Sequence, residues 1–175
     1  MTSKENLLRA IGHDSPDHIP YYHEGAIQLL GYRGARPPDN GLDMWGVRWR
    51  KTKEDLLSYP VDHPVESVRE LLSYTFPDPH EAGLFDSPQA EADPQNSLVV
   101  GCHYTALFER YQALCGMERA LTWMLEKPVD ISTFFLRLAE WHLEIARSYI
   151  RIGVEAGRIS DDYGSQTNLL MSPEL

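Results

Sequence analysis

The sequence predicts an α/β fold with parallel strands, because short apolar runs alternate with longer amphipathic helices along the chain. The clearest strand covers residues 97–102, a β-branched run bounded by Asn96 and Gly101. The longest helix begins at Pro128, carries an apolar stripe along one face, and ends at Gly153. Four such strand and helix units occur without an internal sequence repeat, which predicts parallel strands joined by right-handed crossovers.

Turn residues and apolar spacing predict the remaining elements. Thr2 and Glu5 match a capping box that begins a short N-terminal helix, and Gly12 ends it. Further helices are predicted after Pro64 and on both sides of Gly116. The other predictions are short strands at residues 18–22, at 74–78 and just after Gly157, helical turns at 26–30, an extended loop at 31–41, a strand or hairpin at 43–49, and a new helix from 172–173.

Composition limits the function classes. The chain has 175 residues, enough for one domain over 1–175, and a net charge of -10, which argues against nucleic acid as a partner. The first residues have no signal-peptide pattern and no run of 18 apolar residues occurs, so no membrane association is expected. Two cysteines, Cys102 and Cys115, form no disulfide framework. We therefore expect a soluble cytoplasmic protein.

Polar residues gather where the predicted strands end, the edge at which ligands meet α/β sheets. Asp161 and Asp162 follow the last strand, and alternation along it sends one carboxylate inward and the other toward the loop. The inward group would accept a proton or orient a substrate cation, while the outward group would bind backbone N–H groups. His103 is the third catalytic candidate. The candidate substrate-binding residues are His23, Tyr104, Gln166, Asp78, Arg33 and Arg36.

Several short motifs occur in one order along the chain. They are Ser15-Pro16-Asp17-His18-Ile19-Pro20, Asp43-Met44-Trp45-Gly46-Val47-Arg48-Trp49, Tyr74-Thr75-Phe76-Pro77-Asp78-Pro79, Gly116-Met117-Glu118, Asp161-Asp162-Tyr163-Gly164-Ser165-Gln166 and Met171-Ser172-Pro173. The ordered set resembles the uroporphyrinogen decarboxylase superfamily, which includes corrinoid-dependent methyltransferases. This resemblance implies a partial (β/α)8 TIM barrel, about its first four β/α units with an N-terminal helical extension. The alternative fold is an independent four-stranded α/β domain.

Within that superfamily, the Trp-Gly-Val and Asp-Asp-x-Gly-x-Gln patterns are more similar to the methyltransferase branch. The resemblance therefore implies part of a corrinoid-dependent methyltransferase. One alternative is uroporphyrinogen decarboxylase, in which an arginine pair after the first strand holds substrate carboxylates. Arg33 and Arg36 occupy that region here with different spacing, and Asp78 falls where decarboxylases carry an aspartate. The other alternative is a non-catalytic binding or assembly module.

The resemblance also implies zinc and a corrinoid partner for the whole family member, with a small molecule or a corrinoid protein as methyl donor. Those relatives hold zinc through a His-x-Cys pair and a later Cys, which this chain does not contain. Cys102 and His103 are adjacent strand residues that point to opposite faces, so no metal site is predicted. The chain alone is expected to be inactive and to associate with itself through open sheet edges.

Overall fold

The computed structural model describes residues 1–54 and 56–173 and has a mixed α/β architecture with two small sheets. The α-helices are α1 (Ser3–Ile11), α2 (Val68–Ser73), α3 (Asp86–Glu91), α4 (Phe108–Cys115), α5 (Met117–Glu126) and α6 (Pro128–Arg151), and a 3-10 helix covers Tyr22–Glu24. The strands are β1 (Ile27–Leu30), β2 (Gly41–Leu42), β3 (Arg48–Arg50), β4 (Tyr59–Asp62), β5 (Leu98–His103) and β6 (Ala156–Ile159).

The parallel sheet has the order β1-β5-β6, so β5 is central and β1 and β6 are its edges. Helix α6 packs across one face through Tyr149, whose hydroxyl shares its one proton between Leu30 O at 3.2 Å and Cys102 O at 3.1 Å. The same hydroxyl accepts a hydrogen bond from Tyr32 N at 3.0 Å. A Cβ at Gly101 would lie 2.7 Å from the Tyr149 ring, so this close approach requires glycine.

The antiparallel sheet has the order β2-β3-β4 and is fixed to α4 by a buried ion pair. Arg110 Nη1 donates to Asp43 Oδ2 at 2.7 Å, and both side chains are only 2% exposed. Asp43 also accepts hydrogen bonds from Trp45 N, Val47 N and Trp49 Nε1, each at 2.9 Å. The carboxylate thus has several donors, which a buried charge requires.

The predicted partial barrel is wrong, because the described residues lack its pattern of alternating β/α units. The long connection between β1 and β5 holds the antiparallel sheet, α2 and α3 instead of a second parallel strand. Residues 74–78, predicted as that strand, bond to α6: Arg137 donates to Tyr74 O at 2.9 Å, and Trp141 Nε1 donates to Pro77 O at 2.7 Å.

Two predictions near the N-terminus are also wrong. Residues 18–22 form no strand: the Asn6 side chain holds this segment on α1, accepting from Asp17 N at 2.7 Å and donating to His18 O at 3.0 Å. Residues 26–30 are not helical, because β1 pairs with Leu98–Gly101 in parallel register. Pairing with a neighbouring strand here outweighs the local helical preference.

Other predictions are confirmed. The Thr2 and Glu5 capping box begins α1, β5 and α6 lie where they were predicted, and Gly116 separates α4 from α5. The motif at 43–49 forms a hairpin between β2 and β3. The last strand is present but not buried, because β6 is an edge strand with Ile159 76% exposed. The prediction of a new helix from 172–173 falls partly on residues 174–175, which lie outside the described residues.

No helix in the described part of the chain is both long and apolar enough to cross a lipid bilayer.

Candidate functional site

The carboxyl ends of three adjacent parallel strands form one edge, which we call the carboxyl edge: residues 31–36 after β1, 104–105 after β5 and 160–164 after β6. Open α/β sheets bind their ligands at this edge because the loops that follow the strands meet there. It contains five of the nine residues predicted as site residues, namely Arg33, Arg36, Tyr104, Asp161 and Asp162.

Arg36 and Tyr104 are in direct contact across the ends of β1 and β5. Arg36 Nη2 donates to the Tyr104 hydroxyl at 2.8 Å, and the guanidinium lies 4.6 Å from the centre of the Tyr104 ring. Burial raises the pKa of the Tyr104 hydroxyl, so it stays protonated at neutral pH. Arg36 is exposed, so its guanidinium lies at the surface of this edge, against the ring of Tyr104.

Arg33 is oriented away from this contact. Its guanidinium forms an ion pair with Glu81, and both side chains are exposed. Its backbone N–H donates to Leu84 O at 2.9 Å, which holds the loop against the segment before α3. The structure therefore does not bring Arg33 and Arg36 together as a carboxylate clamp.

Asp161 and Asp162 have different environments. Asp161 accepts backbone N–H bonds from Leu107 and Phe108 to Oδ2 at 2.9 and 2.8 Å, and from Glu109 to Oδ1 at 2.8 Å. It therefore caps the N-terminus of α4 from a distant part of the chain, the loop-binding role that we predicted for one of the pair. Asp162 is exposed, and its Oδ1 accepts from Gly164 N at 3.0 Å.

Thr105 at the carboxyl edge and Glu109 in the first turn of α4 beside it are two residues that the sequence did not indicate as site residues. Burial, followed by the negative charges of Asp161 and Asp162, raises the pKa of Glu109 from 4.5 to about 6. Thr105 has a φ of 48°, an unusual value for a β-branched residue, and its hydroxyl accepts from Arg110 Nη2 at 2.9 Å. Both features depend on contacts between distant segments, so no local pattern in the sequence indicated them.

His103 ends β5 but points to the helix face of the sheet, not to the carboxyl edge. It is 5% exposed, and its ring contacts Tyr149 and His142 of α6 with centroids 5.7 and 5.1 Å away. His103 Nδ1 and His142 Nδ1 are 3.0 Å apart, and His142 Nε2 lies 3.0 Å from Ala106 O. No pattern in the sequence indicated His142, because it lies beside the apolar stripe of α6.

The other three predicted site residues are elsewhere. His23 precedes β1 and is therefore at the amino ends of the strands, the opposite edge of the sheet. Asp78 is exposed and its Oδ1 accepts from His80 N at 2.9 Å, which is a local turn contact. Gln166 is exposed in the loop after β6, where Gly164 and Leu169 form an isolated antiparallel bridge.

The described residues do not fit the zinc ion that the resemblance implies. No group of three His, Cys, Asp or Glu side chains among them is arranged to hold a metal. Cys102 is buried against Val100 O, and burial raises the pKa of Cys115 to about 12, whereas zinc requires a thiolate. We therefore derive no chemical step through zinc.

Comparison of the chain with protein-family models, with curated proteins and with solved structures finds no match in any of the three.

Proposed function

We propose that the chain binds a small carboxylate-bearing molecule at the carboxyl edge, and that this binding serves corrinoid-linked methyl transfer. The observation that carries the binding proposal is the contact of Arg36 with Tyr104, which fixes an exposed guanidinium at the ends of two adjacent strands. A guanidinium supported in this way is suited to hold a carboxylate by two parallel hydrogen bonds. The reaction class is proposed from the ordered motifs.

The opposite charges along this edge support a ligand with more than one polar group. Asp162 and the half-buried Glu109 lie beyond Asp161, on the side of β6, while Arg36 lies on the side of β1. We assign the carboxylate of the ligand to Arg36. Because Asp161 is occupied by backbone N–H groups, we assign to Asp162 the predicted role of accepting a proton or orienting a substrate cation.

Backbone strain beside Tyr104 is consistent with this assignment. Positive φ at a β-branched residue is unfavourable, and such strain persists at binding sites where the surroundings impose it. The hydroxyl of Thr105 accepts a hydrogen bond from Arg110, and Arg110 also forms the buried ion pair with Asp43. The buried ion pair therefore fixes the backbone at the carboxyl end of β5, next to the proposed ligand.

The environment of Arg33 favours methyl transfer over porphyrinogen decarboxylation. A decarboxylase of the kind that the motifs resemble uses two arginines on substrate carboxylates, whereas the charge of Arg33 is compensated by Glu81. Because Arg33 and Arg36 do not form a pair, this edge suits a ligand with a single carboxylate better than a substrate with several.

The reaction class is tested by two assays on the purified chain. One measures methyl transfer from methylcobalamin to a thiol, and the other measures release of carbon dioxide from uroporphyrinogen. The inactivity expected of the chain alone rested on a partial barrel, which the described residues do not form. We therefore expect methyl transfer, and we expect it to require Arg36 and not Arg33. Carbon dioxide release without methyl transfer would contradict the assignment in favour of the decarboxylase. Ligand binding with no turnover in either assay would indicate a binding module.

A further inference from the structure

A groove of about 270 Å³ lies between α6 and the edge strand β6. Its lining is mainly apolar and includes Ala146, Tyr149, Val154 and Ala156, with His103 among them. The Tyr149 hydroxyl is turned into the sheet, where it bonds to β1 and β5 backbone groups. His103 is therefore the polar ring that the groove wall presents.

The hydrogen bonds of the two histidines determine which nitrogen of His103 carries a proton. Ala106 O can only accept, so His142 Nε2 is the donor, and the Nδ1 of a neutral His142 must then accept. His103 Nδ1 is consequently the donor across the 3.0 Å contact. Because a neutral imidazole has one N–H, the other ring nitrogen, His103 Nε2, is unprotonated. It has no hydrogen-bond partner among the described residues.

Burial keeps both rings neutral, which this arrangement requires. Burial lowers the pKa of His142 to about 4 and also lowers the pKa of His103. The carboxylate of Glu155, which also lines the groove, is 2.7 Å from Lys4 Nζ and accepts from Val99 N at 3.3 Å. The nearest acidic charge is thus compensated by a lysine.

We propose that this groove is a second binding site, for a small, neutral, largely apolar molecule with one hydrogen-bond donor, which His103 Nε2 accepts. The lining of the groove determines the chemical class of the ligand. Its apolar side chains favour an apolar ligand, and the His103 Nε2 acceptor orients the hydrogen-bond donor of that ligand. Aromatic N–H and O–H compounds have this chemistry. The site is independent of the carboxyl edge, because it lies on the helix face of the sheet.

Indole and benzofuran are matched probes, because they have the same shape but only indole has an N–H donor. We expect indole to bind to the wild-type chain about tenfold more tightly than benzofuran, the effect of one hydrogen bond. Ala146→Leu, which fills the groove, should abolish indole binding. Ala139→Leu makes the same change seven residues earlier in α6, outside the groove lining, and should leave binding unchanged.

Nitrogen NMR on the unmodified chain tests the acceptor directly. The His103 Nε2 resonance should be that of an unprotonated nitrogen and should move upfield when indole is added. His63, whose Nδ1 is 2.8 Å from Ala113 O, is an internal reference that should not move. A protonated His103 Nε2, or equal binding of the two probes, would contradict the proposal.

Discussion

Asp161 and Asp162 are neighbours in the sequence, yet only Asp161 stabilises the fold. Its three backbone hydrogen bonds satisfy N–H groups at the start of α4 that have no partner within that helix. We expect Asp161→Ala to lower the free energy of unfolding by about 1–2 kcal/mol, as for the loss of a helix cap. Asp162→Ala is the matched control and should change it by less than about 0.5 kcal/mol. Urea unfolding measures both, and equal effects would contradict the distinction.

Glu109 makes stability depend on pH in a defined window. Because its pKa is raised from 4.5 to about 6, the folded chain binds this proton more tightly than the unfolded chain does. The resulting stabilisation is complete below about pH 4.5 and is lost as the pH rises through about 6. Glu109→Gln should therefore match the wild type near pH 4 and exceed its stability at pH 7.

Thermal unfolding of both proteins across this pH range measures the effect. Glu118→Gln, at the exposed start of α5, is the control. If the difference in stability between Glu109→Gln and the wild type does not change with pH, the result contradicts the raised pKa of Glu109 in the folded chain.

At the residue scale, the sequence predicted the polar groups after β5 and β6 but not what those groups contact, and it placed His23 and Asp78 at the ends of strands that do not form. The Asp161-Asp162 pair follows a strand, so its position was predictable from the local pattern alone. The pairing of Arg33 with Glu81 and of Arg36 with Tyr104 joins segments far apart in the sequence. Such pairings depend on the tertiary fold, for which a single sequence carries no direct signal.

At the scale of elements, the close contact of α6 with β5 is specified by glycine. Gly101→Ala would place a methyl group 2.7 Å from the Tyr149 ring and displace the hydroxyl that bonds to β1 and β5. We expect a loss of about 1–3 kcal/mol in the free energy of unfolding, as for overpacked cores. Gly157 is the register partner of Gly101 on β6 and has open space around it. Gly157→Ala should therefore cost less, and equal losses in urea unfolding would contradict this packing.

Long elements were predicted better than short ones, for a physical reason. Helix α6 has 24 residues, so its apolar stripe and its Pro128 start are repeated signals. Strand β1 has 4 residues, and its conformation is decided by pairing with β5. The segment after α2 has the composition of a strand but is bound by side chains of α6, which no local pattern indicates.

At the scale of the whole molecule, the parallel sheet has two edges, β1 and β6, and we propose that they mediate self-association. Strand β6 is exposed along most of its length, including Ile159. We expect the wild-type chain to associate reversibly and Ile159→Lys to weaken this association, because a lysine on an edge strand opposes pairing. Leu136→Lys, on the exposed side of α6, is the control. Sedimentation velocity measures the effect, and a wild-type monomer at all concentrations would contradict it.

The central claim is that Arg36 holds a carboxylate at the carboxyl edge, and an NMR titration of the ¹⁵N-labelled chain with propionate tests it most directly. We predict that the side-chain Nε–H signal of Arg36 and the amide signal of Tyr104 move together as propionate is added. Arg36→Gln should abolish the change at Tyr104, whereas Arg33→Gln should preserve it, because Arg33 is paired with Glu81. No change at Tyr104, or a change that survives Arg36→Gln, would contradict the claim.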